Sequence, residues 1–281
     1  MKKILVTGAN GQLGSELFVL SSSYTNYDWF FADRTKITLD NLELLEAQLN
    51  EIKPDIVLNC GAYTAVDKAE TEKETAFTVN HLAVELIAKY ASENKAKLIH
   101  ISTDYVFDGT SSTALNEEAK TNPINVYGES KLAGEIACVK ENPDSIIIRT
   151  SWVYSKFGNN FVKTMQRLMQ ERDAINVVND QIGSPTYAAD LALAMMAVLE
   201  APKWVSGIYN YSNEGEISWY DFALAIKELG GYNCEVGGIP SASYPTPARR
   251  PEFSLLDKKK IKEVYNLDVQ YYKESLKKMI G

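Results

Sequence analysis

The sequence predicts an α/β fold, a doubly wound parallel sheet followed by a smaller α/β lobe, and three observations lead to it. Through the first 150 residues, short apolar runs alternate with longer stretches whose apolar residues recur at helical spacing, as in successive βαβ units. A glycine-rich turn joins the first apolar run to the first helical stretch. Beyond Thr150 the alternation loosens and the chain grows richer in Pro, Gly and Tyr, which suits a second, less regular lobe.

The elements follow in order. Residues 3–6 hold Ile4, Leu5 and Val6 and run into Thr7-Gly8, a short buried strand meeting a turn. Residues 12–20 then carry apolar positions at helical spacing, and 29–32 form the second strand. The same alternation gives helices over 42–52, 75–93 and 127–140, and strands over 56–59, 98–102 and 146–149. Pro54 and Pro143, each followed by Asp, stop the preceding helices because proline has no amide to donate. In the second half 161–170, 187–199 and 219–229 read as helices, and 175–178 and 208–210 as strands. A proline-rich stretch over 239–251 contains Arg249 and Arg250. The expected division is a first domain over 1–150 and a lobe over most of 151–281, with 179–200 packing back on the first domain.

Composition narrows the function. A chain of 281 residues with 45% hydrophobic content builds an ordinary core without staples. A net charge of -8 and a pI near 5.0 argue against nucleic acid as a partner, since that binding depends on clustered Lys and Arg. Cys60, Cys138 and Cys234 are too scattered for a disulfide framework and form no zinc-ligand spacing, so the expected setting is the reducing cytoplasm. The apolar run at the amino terminus is too short for a signal-peptide core, and no stretch approaches the roughly 20 apolar residues that span a bilayer. Neither a membrane nor an exported location is expected.

Gly8-Ala9-Asn10-Gly11-Gln12-Leu13-Gly14 lies between a strand and a helix, the setting in which glycines let the backbone approach a pyrophosphate. That context makes the first domain a Rossmann-type dinucleotide site. Asp33 ends the second strand about 20 residues after the turn, where a carboxylate meets the ribose hydroxyls. Its neighbour Arg34 can hold the extra phosphate of NADP. The pair leaves NADPH or NADH open as the cofactor.

Tyr127 and Lys131 stand four apart on one helical face. A phenol titrates near 10 and is a poor acid–base group until its environment changes, a task the Lys131 ammonium could perform. Thr103 follows the strand 98–102, and parallel sheets bind ligands at the carboxyl ends of their strands. Its hydroxyl is placed to hydrogen-bond a substrate carbonyl. The two histidines, His81 and His100, have no matched nucleophile, which speaks against a hydrolase, and no metal site is expected from spacing. Asn80, inside the 75–93 helix, is expected to bond locally. Trp152 either joins the core or packs on a sugar face, and Arg249-Arg250 is either a solvated pair or a clamp for a substrate pyrophosphate.

The TGxxGxxG turn, Ser102-Thr103 and the YxxxK helix, in that order, resemble the extended short-chain dehydrogenase/reductase family. The likeness extends through Asn59-Cys60-Gly61-Ala62-Tyr63-Thr64, Ser102-Thr103-Asp104-Tyr105-Val106-Phe107, Arg149-Thr150-Ser151-Trp152-Val153-Tyr154 and Ala248-Arg249-Arg250-Pro251, and so over nearly the whole chain. It implies reduction of the C4 ketone of a dTDP-linked deoxysugar, the last step in making that sugar nucleotide. It also implies that Gly11, Gln12, Leu13 and Asp33 hold the dinucleotide, with Thr38, Leu39, Ala62, Tyr63 and Thr64 beside adenine and ribose. Lys131 would bind the nicotinamide ribose, and Thr103, Asp104 and Trp152 the sugar. Thr38 departs from the Asp that similar proteins often carry there. Some members bind Mg²⁺ through glutamates at a homodimer interface; Glu16 matches one of them, without a full ligand set.

Related dehydratases place an Asp-Glu pair after the strand-end Thr, whereas Tyr105 follows Asp104 here, which favours plain ketone reduction. Another nucleotide-sugar reductase or epimerase, and a non-catalytic subunit like the regulatory subunit of methionine adenosyltransferase, remain as alternatives.

Overall fold

A computed structural model, which describes residues 1–281, builds six strands into one parallel sheet. Its first half runs β1 (Lys2–Thr7), α1 (Gln12–Ser21), β2 (Tyr27–Ala32), α2 (Leu42–Ile52) and β3 (Ile56–Asn59). Two short helices, α3 (Val66–Ala69) and α4 (Lys73–Phe77), lead through a π turn (Thr78–Leu82) into α5 (Ala83–Glu93). Then come β4 (Lys97–Thr103), α6 (Val126–Glu141) and β5 (Ile146–Thr150). The second half contains β6 (Val153–Tyr154), α7 (Phe161–Glu171), β7 (Ala174–Val178), β8 (Ile182–Gly183), β9 (Thr186–Tyr187) and α8 (Ala188–Glu200). It ends with β10 (Gly207–Asn210), β11 (Ile217–Ser218), α9 (Trp219–Gly230), β12 (Glu235–Ile239), α10 (Lys259–Tyr265) and α11 (Tyr272–Ile280).

The sheet order is β10-β5-β4-β3-β1-β2, so the chain steps from β1 to β2 on one side and then crosses to β3 on the other. That reversal opens a crevice at the carboxyl ends of β1 and β3, where doubly wound sheets bind ligands. Both faces of the sheet are covered, which is why its strands read as unbroken apolar runs. On one face Leu5, Val57, Leu98 and Ile147 pack against Leu45, Leu49, Ile87 and Cys138 of α2, α5 and α6. On the other Ile4, Val6, Leu58 and Ile148 meet Leu13 and Leu17 of α1 and Leu191, Met195 and Val198 of α8. A separate core of Tyr154, Val162, Met165, Phe222, Ile226 and Leu276 holds the lobe together.

Two departures from the pattern of the sequence concern the main sheet and the helices on it. The span expected as one helix over 75–93 is α4, a π turn and α5 in succession. β10 pairs in parallel with β5, Gly207 opposite Ile146, so it completes the main sheet. No helix is long and apolar enough to cross a membrane.

Candidate active site

The glycine turn is shaped by contacts that a side chain would fill. Gly8 has φ +66°, and a Cβ there would lie 2.7 Å from Gly61 Cα across the crevice. A Cβ on Gly14 would fall 2.4 Å from Gly8 O. Gly11 N donates to Gly8 O at 2.9 Å and closes the turn. Gly11 is the N-cap of α1 and contributes no side-chain cap, so the helix presents its first amides to the crevice. Beneath the turn Thr7 Oγ1 accepts from Gly61 N at 3.0 Å and donates to Asn59 Oδ1 at 2.6 Å, which keeps β1 and β3 in register.

The other expected cofactor residues line this end of the sheet in different ways. Asp33 accepts through Oδ1 from Thr35 N and Thr35 Oγ1, which hold its carboxyl below the usual range, and its Oδ2 is 3.5 Å from Asn10 Nδ2. Arg34 is exposed. Thr38 N donates to Gln48 Oε1 at 3.0 Å, and Leu39 lies against Gly61. Tyr63 is fixed through its hydroxyl, which donates to Glu72 at 2.6 Å, while Thr64 is exposed. Leu13 is buried in the core. Gln12 uses its side chain elsewhere: Nε2 donates to Val153 O at 3.2 Å and Oε1 accepts from Asn160 Nδ2 at 3.0 Å, tying the turn to the lobe.

At the carboxyl end of β4 stands the proton-transfer group. Asn125 caps α6 by accepting from Gly128 N at 2.7 Å, so Tyr127 enters in the first turn and Lys131 follows one turn later. The Lys131 ammonium is 2% exposed and donates to Ile101 O of β4 at 2.7 Å. Burial lowers it from 10.5 to about 8, with Glu135 the main opposing charge. Burial pushes the Tyr127 phenol up to about 12. The neighbouring Thr103 hydroxyl opposes that rise and lowers it. Tyr127 therefore stands protonated at neutral pH, the state an acid needs.

Thr103 Oγ1 donates to Asp104 Oδ1 at 3.0 Å and accepts from Tyr105 N at 3.2 Å. Its single proton must turn away from Asp104 to meet a carbonyl oxygen. Burial raises the Asp104 carboxyl to about 6 against the lowering pull of the neighbouring Ser254 and Thr103 hydroxyls, and its buried Oδ2 is in hydrogen-bond geometry with no group of the chain. Sheet register sets Thr103 opposite Thr150, and Trp152 follows two residues later with φ +47°. One face of its indole is covered by Trp219, with ring centroids 3.7 Å apart and planes at 16°. The two arginines divide: Arg250 forms a bidentate pair with Asp67, 2.8 and 3.1 Å, whereas Arg249 is exposed and its carbonyl accepts from Asn125 Nδ2 at 2.7 Å.

Asn80 is the residue the sequence misread. Its amide reaches far from its own turn, accepting from Tyr63 N at 2.9 Å and donating to Tyr63 O and Ser130 Oγ at 3.0 Å. It pins the loop after β3 to the helix that carries Tyr127 and Lys131, and it sits within the π turn. Glu16 is buried within the chain and accepts from Ser155 Oγ at 2.6 Å. No group of three His, Cys, Asp or Glu side chains is placed to hold a metal ion, so Mg²⁺ finds no support.

A family model described as the RmlD substrate binding domain matches residues 1–281. A dTDP-4-dehydrorhamnose reductase from Aggregatibacter actinomycetemcomitans is 38% identical, covering 99% of this chain and 98% of its own. Among solved structures, a dTDP-4-dehydrorhamnose reductase from Clostridium acetobutylicum superposes with a TM-score of 0.94 at 38% identity, over 99% of this chain and 98% of that one. One from Bacillus anthracis, in complex with NADP, gives the same TM-score at 37% identity and covers 99% of each chain.

Proposed function

The chain belongs to the dTDP-4-dehydrorhamnose reductase family, and from that membership we propose how its residues reduce the C4 ketone of dTDP-4-dehydro-L-rhamnose to dTDP-L-rhamnose, the last step of dTDP-rhamnose biosynthesis. The observation that carries the reading is the buried Lys131 ammonium on Ile101 O, one helical turn from Tyr127 at the end of β4 and one strand from the glycine crevice.

The reduced dinucleotide supplies the hydride. The uncapped amides of α1 hold its pyrophosphate, Asp33 its ribose, and Arg34 the 2′-phosphate that distinguishes NADPH. Thr38, Leu39, Ala62, Tyr63 and Thr64 form the wall on the adenosine side. Lys131 has two further N–H groups beyond the one given to Ile101 O, and these meet the nicotinamide ribose. Thr103 orients the ketone, and Tyr127 transfers its proton to the sugar oxygen as hydride reaches C4. Asp104 Oδ2 accepts from a sugar hydroxyl, Trp152 borders the sugar, and Arg249 meets the diphosphate while Arg250 braces the segment through Asp67.

The cofactor half is residues 1–150 with 179–200 packed on it and β10 completing its sheet, and the sugar half is the remainder of 151–281. A homodimer is the assembly we propose, supported by the apolar surface that Leu82, Ile136 and Val139 leave on the π turn and α6. Three free cysteines support a reducing, cytoplasmic setting.

The test is to mix the protein with dTDP-4-dehydro-L-rhamnose and either NADPH or NADH, and to follow the reduced-nicotinamide absorbance and the sugar product together. Oxidation in step with dTDP-L-rhamnose supports the reductase. Interconversion of sugar epimers with no net oxidation favours an epimerase, and no change with either cofactor favours a regulatory subunit.

A further inference from the structure

Trp219 lies outside every motif that points to the site, yet it is stacked on a residue assigned to the sugar. We propose that Trp219 is a positioning residue for sugar recognition, seating the indole of Trp152 so that its free edge faces the hexose. The inference rests on the assignment of Trp152 to the sugar subsite.

Trp152 needs holding. Its φ of +47° lies in the left-handed region that bulky L residues rarely adopt, so its side chain would leave this direction unless neighbours opposed it. Trp219 supplies a nearly parallel stack at 3.7 Å. Phe161 backs Trp219 at 4.6 Å and in turn stacks on Phe222 of the lobe core at 5.6 Å. On another side Gly183 leaves room for the ring, since a Cβ there would lie 3.0 Å from Trp152 Cζ2.

Trp219 is itself fixed from two directions. β11 pairs antiparallel with β8, Ile217 opposite Gly183 and Ser218 opposite Ile182, which brings the start of α9 beneath Trp152. A capping box between Ser218 and Asp221 then anchors that first turn. The seat is therefore a rigid part of the lobe. The indole N–H groups of Trp29 and Trp204 donate to the carbonyls of Tyr24 and Asp144, whereas those of the stacked pair, Trp152 and Trp219, have no acceptor within the chain. A held indole with a free N–H is suited to donate to a sugar oxygen.

Steady-state kinetics of Trp152→Ala, Trp219→Ala and Trp219→Phe with the sugar nucleotide and NADPH, together with circular dichroism of the stacked indoles, test this. Trp152→Ala is expected to raise KM for the sugar nucleotide. Trp219→Ala is expected to reproduce a rise of about 2- to 10-fold, the range of a lost aromatic pair, with KM for NADPH unchanged. Trp219→Phe restores most of the affinity, while all three variants lose the exciton signal of paired indoles. If Trp152→Ala raises KM and a folded Trp219→Ala does not, the seat is overturned and the assignment of Trp152 stands. If Trp152→Ala leaves KM unchanged, that assignment fails and the inference with it. Should Trp219→Ala not fold, Gly183→Ala, which presses on the same indole, must raise the sugar KM for the proposal to survive.

Discussion

Replacing Lys131 by Met should stabilise the folded protein at neutral pH while removing its turnover. The ammonium is 2% exposed and finds only one hydrogen bond, to Ile101 O at 2.7 Å, so burial lowers it from 10.5 to about 8. At ~1.4 kcal/mol for each pH unit between the folded and unfolded values, that costs the fold about 3 kcal/mol while the lysine is charged in both states. The variant gives back about 1 kcal/mol through the lost hydrogen bond, which leaves a net gain near 2 kcal/mol. The sign with pH follows from proton binding. Below pH 8 both states hold the proton and the cost is complete; between pH 8 and 10.5 only the unfolded chain still holds it, so the wild type gains stability as pH rises. Urea unfolding of both proteins at pH 7, 8, 9 and 10 measures the difference, in which the other titrating groups cancel. A difference that does not change with pH, or a Met variant less stable at pH 7, would refute the reasoning.

Three further outcomes are expected. Glu135→Ala strands the Arg149 guanidinium, which is 3% exposed and bonded at 2.7 Å to a carboxylate 2% exposed, and should cost about 3–5 kcal/mol in urea unfolding; a loss under about 1 kcal/mol would show that the arginine finds other partners. Gly8→Ala should abolish measurable NADPH binding by titration, since its Cβ would meet Gly61 at 2.7 Å; Gly231→Ala has the same φ of +66° with nothing within 4 Å and should keep binding intact. Arg34→Ala should raise KM for NADPH about tenfold and leave KM for NADH alone, and an equal effect on both would remove Arg34 from the 2′-phosphate.

The parts of the fold legible in the sequence were those set by local chemistry. β1, β3, β4 and β5 lie in the covered interior of the sheet, so their apolar runs stand out, and Pro54 and Pro143 mark where the helices before them stop. β12 was missed because Gly237 and Gly238 sit inside it; it is a strand only through its pairing with β7. α10 and α11 were lost for their shortness, seven and nine residues. β10 was legible as a strand but not as the neighbour of β5, because that pairing joins residues about sixty positions apart. At the site, Tyr127, Lys131 and the glycine turn announce themselves by spacing. Asn80 and Trp219 do not: each acts through a contact with a distant segment, and no pattern in their own neighbourhoods encodes it.

The central claim is that Tyr127 delivers the proton to the reduced ketone, and its most direct test is turnover of dTDP-4-dehydro-L-rhamnose by the wild type and by Tyr127→Phe under saturating NADPH. The substitution deletes one oxygen and leaves the ring to pack edge-on against Tyr105 at 5.6 Å, so the fold and cofactor binding should persist. The predicted result is oxidation matched by dTDP-L-rhamnose in the wild type and a kcat lower by about 10²–10⁴ in the variant. A variant that keeps the wild-type kcat would contradict it.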